Sequence, residues 1–433
     1  MFKTIKNAWS LPDLRKKILF TLLIIVVFRI GSVIQVPFLD TAALRSVMNP
    51  DDWSNTMLSY MNTLSGGAFS NATLFAMGIT PYINSSIIIQ LLCVAIPPLE
   101  RLAREGEAGR RKISAITRYV TVGLGIIQGT AYYFYLLNSK VTLYNSGFEL
   151  WFSAIVIILV FTAGTAVMMW LGERITDKGI GNGISILLFA GIVAQFPQII
   201  NTLGQYWNLA VNGSTQFFFL VPLWVVLFVA VVWIITFMQD SERRIPIQYA
   251  KRVVGRKMYG GQSTHIPIKV NSSGVMPLIF AYAILSFPDL IINLVGVDST
   301  NWYSQNMGTG SWLNTVLLCV LILFFAYFYN QIQFNPDDIS KSIQQNGGFI
   351  PGIRPGKPTA DYLKRVSNRI VLFGAIFLAL VALIPSLIFK AIDPNSMNVF
   401  SATGILIVVS VALEFNQALE SQIMMKNYKG FLK

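Results

Sequence analysis

The chain has 433 residues, of which 54% are hydrophobic and only 12% are charged, and its formal net charge is +13. About a quarter of the residues of a soluble domain are charged, so this composition excludes an ordinary soluble protein and indicates a membrane protein. A helix needs roughly 20 mostly apolar residues to cross a hydrocarbon core of about 30 Å, and ten runs of this kind occur. In chain order, the predicted cores of these spans are residues 18–36, 74–96, 119–137, 152–171, 184–200, 217–237, 275–295, 313–328, 370–389 and 400–413.

The basic residues are distributed unevenly between the two sides of these ten spans. With the N-terminus in the cytosol, 29 of the 33 Lys and Arg residues lie in cytosolic segments, whereas Arg29 lies within the first span. Because cytosolic loops are enriched in Lys and Arg, both termini are predicted to be cytosolic. The first run lacks a small-residue cleavage site after it, which favours a retained helix over a signal peptide.

Two of the predicted spans begin with an interruption of the same kind. The second span begins with Gly-Ile-Thr-Pro at residues 78–81, and the seventh begins with Gly-Val-Met-Pro at residues 274–277. Proline lacks a backbone donor and glycine loosens a helix, so such backbone must face protein or a water-filled cavity. The repeat indicates two related halves of five spans that border a pore, although proline in the first turn of two ordinary helices would also explain it.

Two cytosolic loops, residues 239–271 and 335–368, are long and rich in basic residues. Both are far longer than the usual connection of about 4 to 6 residues, and long ordered loops are typically functional. The first mixes basic with apolar residues, which favours a docking surface for a large acidic partner such as ribosomal RNA. The alternative is that the charges only set the membrane orientation.

The sequence offers few residues for catalysis. It contains one histidine, His265, and neither an H-E-x-x-H zinc motif nor a G-x-x-x-x-G-K-[ST] phosphate loop. We therefore predict that the protein is not an enzyme and has no metal site or cofactor. A small-solute secondary transporter is the alternative function, but such proteins keep ionisable residues near the membrane centre, whereas Arg29, Asp289 and Glu414 lie away from the middle of their spans.

Four segments carry a specific resemblance to a known family. They are, in chain order, "GITPYINSSIIIQLL", "LGERITDKGIGNGISILLFAGIV", "YAKRVVGRKMYGGQSTHIPIKVNSSGVMP" and "GGFIPGIRPGKPT". Together they resemble the SecY family, the channel subunits of bacterial protein-conducting translocons, over essentially the whole chain. The resemblance implies an all-α membrane protein with ten transmembrane helices in two pseudo-symmetric, inverted five-helix halves, residues 1–205 and 206–433. These halves would surround a central hourglass pore, with a re-entrant plug helix at about residues 59–71.

The same resemblance implies a function and a set of partners. The protein would pass unfolded secretory polypeptides across the bacterial cytoplasmic membrane and release hydrophobic segments sideways into the bilayer. Its implied partners are SecE, SecG, the SecA ATPase, the ribosome including its RNA, signal-bearing passenger polypeptides and membrane lipids.

The resemblance further implies four groups of site residues. The waist of the pore would be a ring of aliphatic side chains: Ile79, Ile83, Ile184, Leu188, Ile279 and Ile407. A lateral gate between spans two and seven would contain Thr80, Asn84, Gln90, Asn182 and Phe287. The plug would include Gly66, Gly67, Ala68 and Phe69. The docking surface for cytosolic partners would comprise Arg243, Arg244, Lys251, Arg252, Arg256 and Arg354.

These assignments have plainer alternatives. Aliphatic residues on such helices more often face lipid or fill the core, and polar residues in spans often serve only in helix packing. Leu188 also stands where the family often has isoleucine, a change that preserves bulk.

Gly66 and Gly67 would let a plug move away from the pore.

Overall fold

The computed structural model describes residues 2–47, 57–144, 146–212, 216–249, 252–254, 257–259, 263–271, 274–295, 311–392 and 402–430. The described part of the chain is mainly helical, with short strands on two of its loops. Up to residue 212 the helices are α1 (Phe2–Ser10), α2 (Pro12–Gly31), α3 (Thr41–Val47), α4 (Met57–Ser65), α5 (Thr80–Ala95), α6 (Pro97–Arg104), α7 (Glu107–Asn138), α8 (Gly147–Lys178), α9 (Gly183–Val193) and α10 (Phe196–Val211).

The remaining elements include all of the strands. They are α11 (Gln216–Asp240), β1 (Glu242–Tyr249), β2 (Arg252–Val254), β3 (Lys257–Tyr259), β4 (Ser263–Lys269), α12 (Met276–Val295), α13 (Trp312–Gln333), α14 (Pro336–Gln345), β5 (Gly348–Phe349), α15 (Lys357–Ile392) and α16 (Ala402–Gly430).

Every predicted apolar core contains a helix. Among the described residues, seven helices are long and apolar enough to cross a membrane, and α5 with α6, bent by 102°, would make an eighth if counted as one span. The two remaining cores correspond to α2 and α12. Helix α2 carries charged residues near both ends, and the apolar part of α12 is short, over Met276–Leu285. The ten-span prediction is consistent with this arrangement. The predicted boundary between halves, after residue 205, lies inside α10.

The first two spans differ from their predicted limits. Helix α2 ends at Gly31 and α5 begins only at Thr80, although apolar residues continue beyond both points. The backbone between them pairs across the chain instead: the Leu74 amide donates to the Ile34 carbonyl at 2.8 Å, and the Val36 amide donates to the Ala72 carbonyl at 3.2 Å. These bonds satisfy backbone groups that lipid would leave without partners.

One large hydrophobic cluster lies at the centre of the described molecule. It contains buried side chains from α2, α5, α8 and α9 in the first part of the chain, and from α11, α12, α13, α15 and α16 in the second. Helix α5 contacts α12, and α9 contacts α16. The two parts of the chain therefore share a single apolar core, and α5 and α12 meet within it. Pro81 and Pro277 each lie in the first turn of a continuous helix, as the alternative reading of the two Gly-x-x-Pro segments expects.

A small sheet joins the loops of residues 239–271 and 335–368. Strand β1 pairs antiparallel with β4 of the same loop and with β5 of the second loop, so the strand order is β4-β1-β5. Ile245 and Ile247 are buried while their neighbours in β1 are exposed, which is the alternation expected of a half-buried strand. Ile245, Ile268, Ile350 and Leu363 form a cluster beneath the sheet. The two loops thus fold as one unit on the first turns of α15.

Candidate pore and gate

The six predicted waist residues lie in or against the central cluster. Ile184 is half-buried and packs against this cluster. The other five are buried within it: Ile79, Ile83, Leu188, Ile279 and Ile407. Four helices supply them. Ile83 lies on α5 and Ile79 directly precedes that helix, Ile184 and Leu188 lie on α9, Ile279 lies on α12, and Ile407 lies on α16. The structure therefore brings both parts of the chain together at these residues. The same cluster contains many other aliphatic side chains, so their assignment as a ring stays a prediction.

Ile184 differs from the other five in its surroundings. A methyl group added at Gly172 of α8 would lie only 2.9 Å from Ile184 Cδ1. The side chain therefore rests on the bare backbone of α8. A larger residue at 172 would require the Ile184 side chain to shift.

A cavity separates α5 from α12 along part of the predicted lateral gate. Its volume is about 390 Å³, and it is lined by Asn84, Ile87, Ile88, Ala283, Ile284 and Pro288. Five of these six residues are apolar. Asn84 is only 4% exposed, and neither atom of its amide has a hydrogen-bond partner among the described residues. A buried polar group without a partner costs about 1–3 kcal/mol, so this seam between the two helices is weakly held.

The other predicted gate residues occupy different settings. Thr80 is buried in the first turn of α5. Gln90 is half-buried and donates from Nε2 to Ser86 Oγ of its own helix at 3.2 Å. Asn182 is exposed and accepts a hydrogen bond from the Ile184 amide at 3.1 Å, so it caps the N-terminus of α9. The side chain of Phe287 lies outside the described residues. Of the predicted set, the structure places Asn84 in the lining of the cavity.

The predicted plug begins within the short helix α4 and continues through the turns after it. Helix α4 ends at Ser65, and Gly66 and Gly67 follow with φ of 68° and 84°. Ala68 is fully buried, and the Phe69 ring lies 4.4 Å from the Tyr132 ring between centroids. Tyr132 Oη also donates to the Phe69 carbonyl at 2.6 Å. The segment is therefore held against α7.

Arg354 is exposed in a hydrogen-bonded turn of the loop of residues 335–368. Thr359 Oγ1 donates to the Arg354 carbonyl at 2.8 Å, and the Ile353 amide donates to the Ile350 carbonyl at 3.0 Å. Ser340 Oγ fixes the end of the turn by donating to the Gly356 carbonyl at 2.7 Å. The guanidinium is thus displayed from a fixed backbone.

The structure describes the remaining docking residues only in part. Arg243 and Arg244 are adjacent in β1, so their side chains point to opposite faces of the sheet. Arg244 Nε also pairs with Glu242 Oε1 at 2.7 Å. Arg252 begins β2, whereas Lys251 and Arg256 lie outside the described residues.

Two polar residues beside the plug were missed by the sequence-based site assignment. Arg29 of α2 and Gln195, between α9 and α10, each donate a hydrogen bond to a backbone carbonyl of the plug segment. An arginine inside an apolar run is a signal of function, but from the sequence Arg29 was considered only as an ionisable residue of a possible transporter. Within the described ranges, no group of three or more His, Cys, Asp or Glu residues could hold a metal ion.

These features define a multi-pass helical membrane protein in which α5 and α12 meet at an apolar centre. The SecY family model matches residues 73–416. A relative from Streptomyces scabiei, a protein translocase subunit SecY, is 42% identical over 442 residues and is covered, like this chain, over 100% of its length. The chain belongs to the SecY family.

Solved structures show the same fold at low sequence identity. One is a SecY protein whose plug domain is described as stabilising the closed state of the translocation channel and maintaining a membrane seal. It is 18% identical, with a TM-score of 0.65 and coverage of 94% of this chain and 92% of that one. Another is Sec61 in the canine ribosome-channel complex, which is 17% identical, with a TM-score of 0.61 and the same coverage.

Proposed function

We propose that this protein is a protein-conducting channel. It translocates unfolded secretory polypeptides across the membrane and releases hydrophobic segments sideways into the bilayer. The observation that carries the proposal is the junction of α5 and α12, where buried aliphatic residues from both parts of the chain surround an apolar centre and a cavity opens between the two helices. The relative from Streptomyces scabiei is itself a protein translocase subunit.

The apolar centre would seal the resting channel. A constriction of aliphatic side chains excludes water and offers an ion nothing to replace its hydration shell. It also has no hydrogen-bonding preference, so chains of many different sequences can pass. Ile83, Leu188, Ile279 and Ile407, which lie on four separate helices, could move apart when the two halves separate.

The cavity between α5 and α12 would act as the lateral gate. A passenger segment near this seam meets the apolar lining and can partition toward lipid. Each central Leu or Ile favours insertion by several tenths of a kcal/mol, whereas each central charge costs about 2.5–3.5 kcal/mol. The passenger's own sequence therefore decides whether it leaves sideways or continues through the pore.

The energy for transport would come from outside the chain. The sequence has no phosphate-binding loop, and Arg354 is presented on a rigid cytosolic turn. We infer that the SecA ATPase and the ribosome, through its RNA, dock on the loops of residues 239–271 and 335–368, and that SecE and SecG complete the complex. The Sec61 relative was solved in a ribosome-channel complex.

The positive charges on one side support a location in the bacterial cytoplasmic membrane with both termini in the cytosol. The two halves would be residues 1–205 and 206–433, with the plug at about residues 59–71. In the described residues, α4 and the turns after it occupy that plug region.

Reconstitution tests the proposal directly. Vesicles containing this chain with SecE, SecG, SecA and ATP should protect a signal-bearing, unfolded passenger from external protease. Vesicles without this chain provide the control. Uptake of a small solute along an ion gradient, with no protected passenger, would replace the channel proposal with the secondary-transporter alternative.

A further inference from the structure

Helix α4 ends in a turn whose backbone amides bond to its last carbonyls. The Gly67 amide donates to the Asn62 carbonyl at 3.0 Å, and the Gly66 amide donates to the Thr63 carbonyl at 3.3 Å. With Gly66 in the left-handed region at φ 68°, these two bonds form a Schellman motif. The carbonyl end of a helix carries partial negative charge, so it favours a cation.

A cation from another helix occupies that position. Arg29 Nη1 donates to the Gly66 carbonyl at 3.4 Å, directly after the end of α4. Among the described residues, Arg29 forms no salt bridge with a carboxylate. Its guanidinium therefore has the end of the plug helix as its polar partner within an apolar span.

A second donor binds the same end of the helix. Gln195 Nε2 donates to the Asn62 carbonyl at 2.9 Å, so this carbonyl receives both a bond within the motif and a bond from the junction of α9 and α10. Arg29 and Gln195 lie on separate elements, and both address backbone atoms. Neither contact depends on the identity of a plug side chain.

Backbone contact fixes the position of this helix end. A Cβ atom at Gly66 would lie 2.7 Å from the Gly191 carbonyl oxygen, and a Cβ atom at Gly191 would lie 2.7 Å from the Leu64 carbonyl oxygen. The two backbones thus touch through glycines. This close approach keeps the end of α4 beside α9 and the Gln195 that follows it.

We propose that Arg29 is a positioning residue that latches the plug in its closed position, with Gln195 as the weaker second arm of the latch. This inference rests on the proposed channel function and assigns a role to two residues outside the pore and gate. When the plug leaves, Arg29 loses its polar partner, which favours return of the plug to the same site. The latch thus stabilises the closed state through backbone atoms at the end of α4 and involves no side chain of the aliphatic waist.

The accessibility of a plug cysteine tests the latch. The two native cysteines are first removed by Cys93→Ala and Cys319→Ala, so that Ala68→Cys supplies the only thiol of the chain. Because Ala68 is fully buried, this thiol should be protected from a membrane-impermeant maleimide added on the outer side. The complete complex in lipid vesicles is used. Arg29→Gln should raise the labelling rate by about tenfold or more, since it removes a charge-assisted bond. Gln195→Met, which keeps the volume and removes the donor, should raise it by about threefold.

Two further variants separate charge from folding effects. Arg29→Lys keeps the cation and should label within about threefold of the parent. Lys140→Asn removes another outer positive charge at an exposed residue with φ of 57°, a conformation that asparagine tolerates, and should label like the parent. Labelling of Arg29→Gln at the rate of Lys140→Asn would overturn the latch. Equal increases in Arg29→Lys and Arg29→Gln would overturn the role of the charge.

Passenger transport distinguishes this inference from the channel proposal. Arg29→Gln should still translocate a signal-bearing passenger, which shows that the variant folds, and should show a higher resting ion conductance than Lys140→Asn. A parent complex that labels as expected but moves no passenger would refute the channel function and leave the latch standing. A parent that transports normally, with an Arg29→Gln variant that labels no faster, would refute the latch alone.

Discussion

At the scale of single residues, we expect Asn84 to weaken the seam between α5 and α12. Its amide is buried between α5 and α12 without a partner among the described residues, so it destabilises the closed seam. Leucine has a similar size and no polar atoms. We expect Asn84→Leu to stabilise the closed seam by about 1–2 kcal/mol, and passengers should then need longer apolar segments to enter the bilayer. Membrane integration of passengers with graded apolar segments measures this threshold.

Asn208→Leu is the matched control for that variant, because Asn208 is exposed on α10. Its integration threshold should equal that of the parent. If Asn84→Leu also leaves the threshold unchanged, the unpaired amide has no role in gating.

The sequence predicts least well which residues contact one another in the fold. Polar residues at 84 and 182 could both be assigned to a gate, but only Asn84 lines the cavity, whereas Asn182 caps α9. The cap had a local signal, an asparagine immediately before an apolar helix. The bond from Arg29 to Gly66 had none, because the two residues are 37 positions apart and meet only through tertiary packing.

At the scale of elements, the apolar runs predicted helices well and said little about their ends. Helix α5 begins six residues after its predicted start because the preceding backbone pairs with the end of the first span. The sheet that joins the two long loops was not predicted, although the alternation of Ile245 and Ile247 with polar residues has the period of a strand. The pairing of β1 with β5 joins loops about 100 residues apart, which local periodicity does not encode.

That sheet gives the docking prediction its physical basis, because it supports the turn that displays Arg354. Arg354→Glu places a negative charge where an acidic partner would bind, and a like-charge contact costs several kcal/mol. We expect SecA-driven or ribosome-coupled transport to fall by about tenfold or more, with normal insertion of the protein itself. Lys341→Glu, an exposed charge reversal on α14 of the same loop, is the control and should retain most transport. Unimpaired coupling in Arg354→Glu would remove this residue from the docking surface.

At the scale of the whole molecule, the channel depends on where the two parts of the chain meet. Ile83, Leu188 and Ile407 come from three helices and are buried in the shared cluster. Replacing all three with serine should hydrate the centre and raise the resting ion conductance in planar bilayers by at least about tenfold, since a polar constriction no longer excludes water. Serine at Val225, Val226 and Val229, which are exposed on α11, should leave conductance unchanged. Equal conductance in the two triple variants would place the seal elsewhere in the molecule.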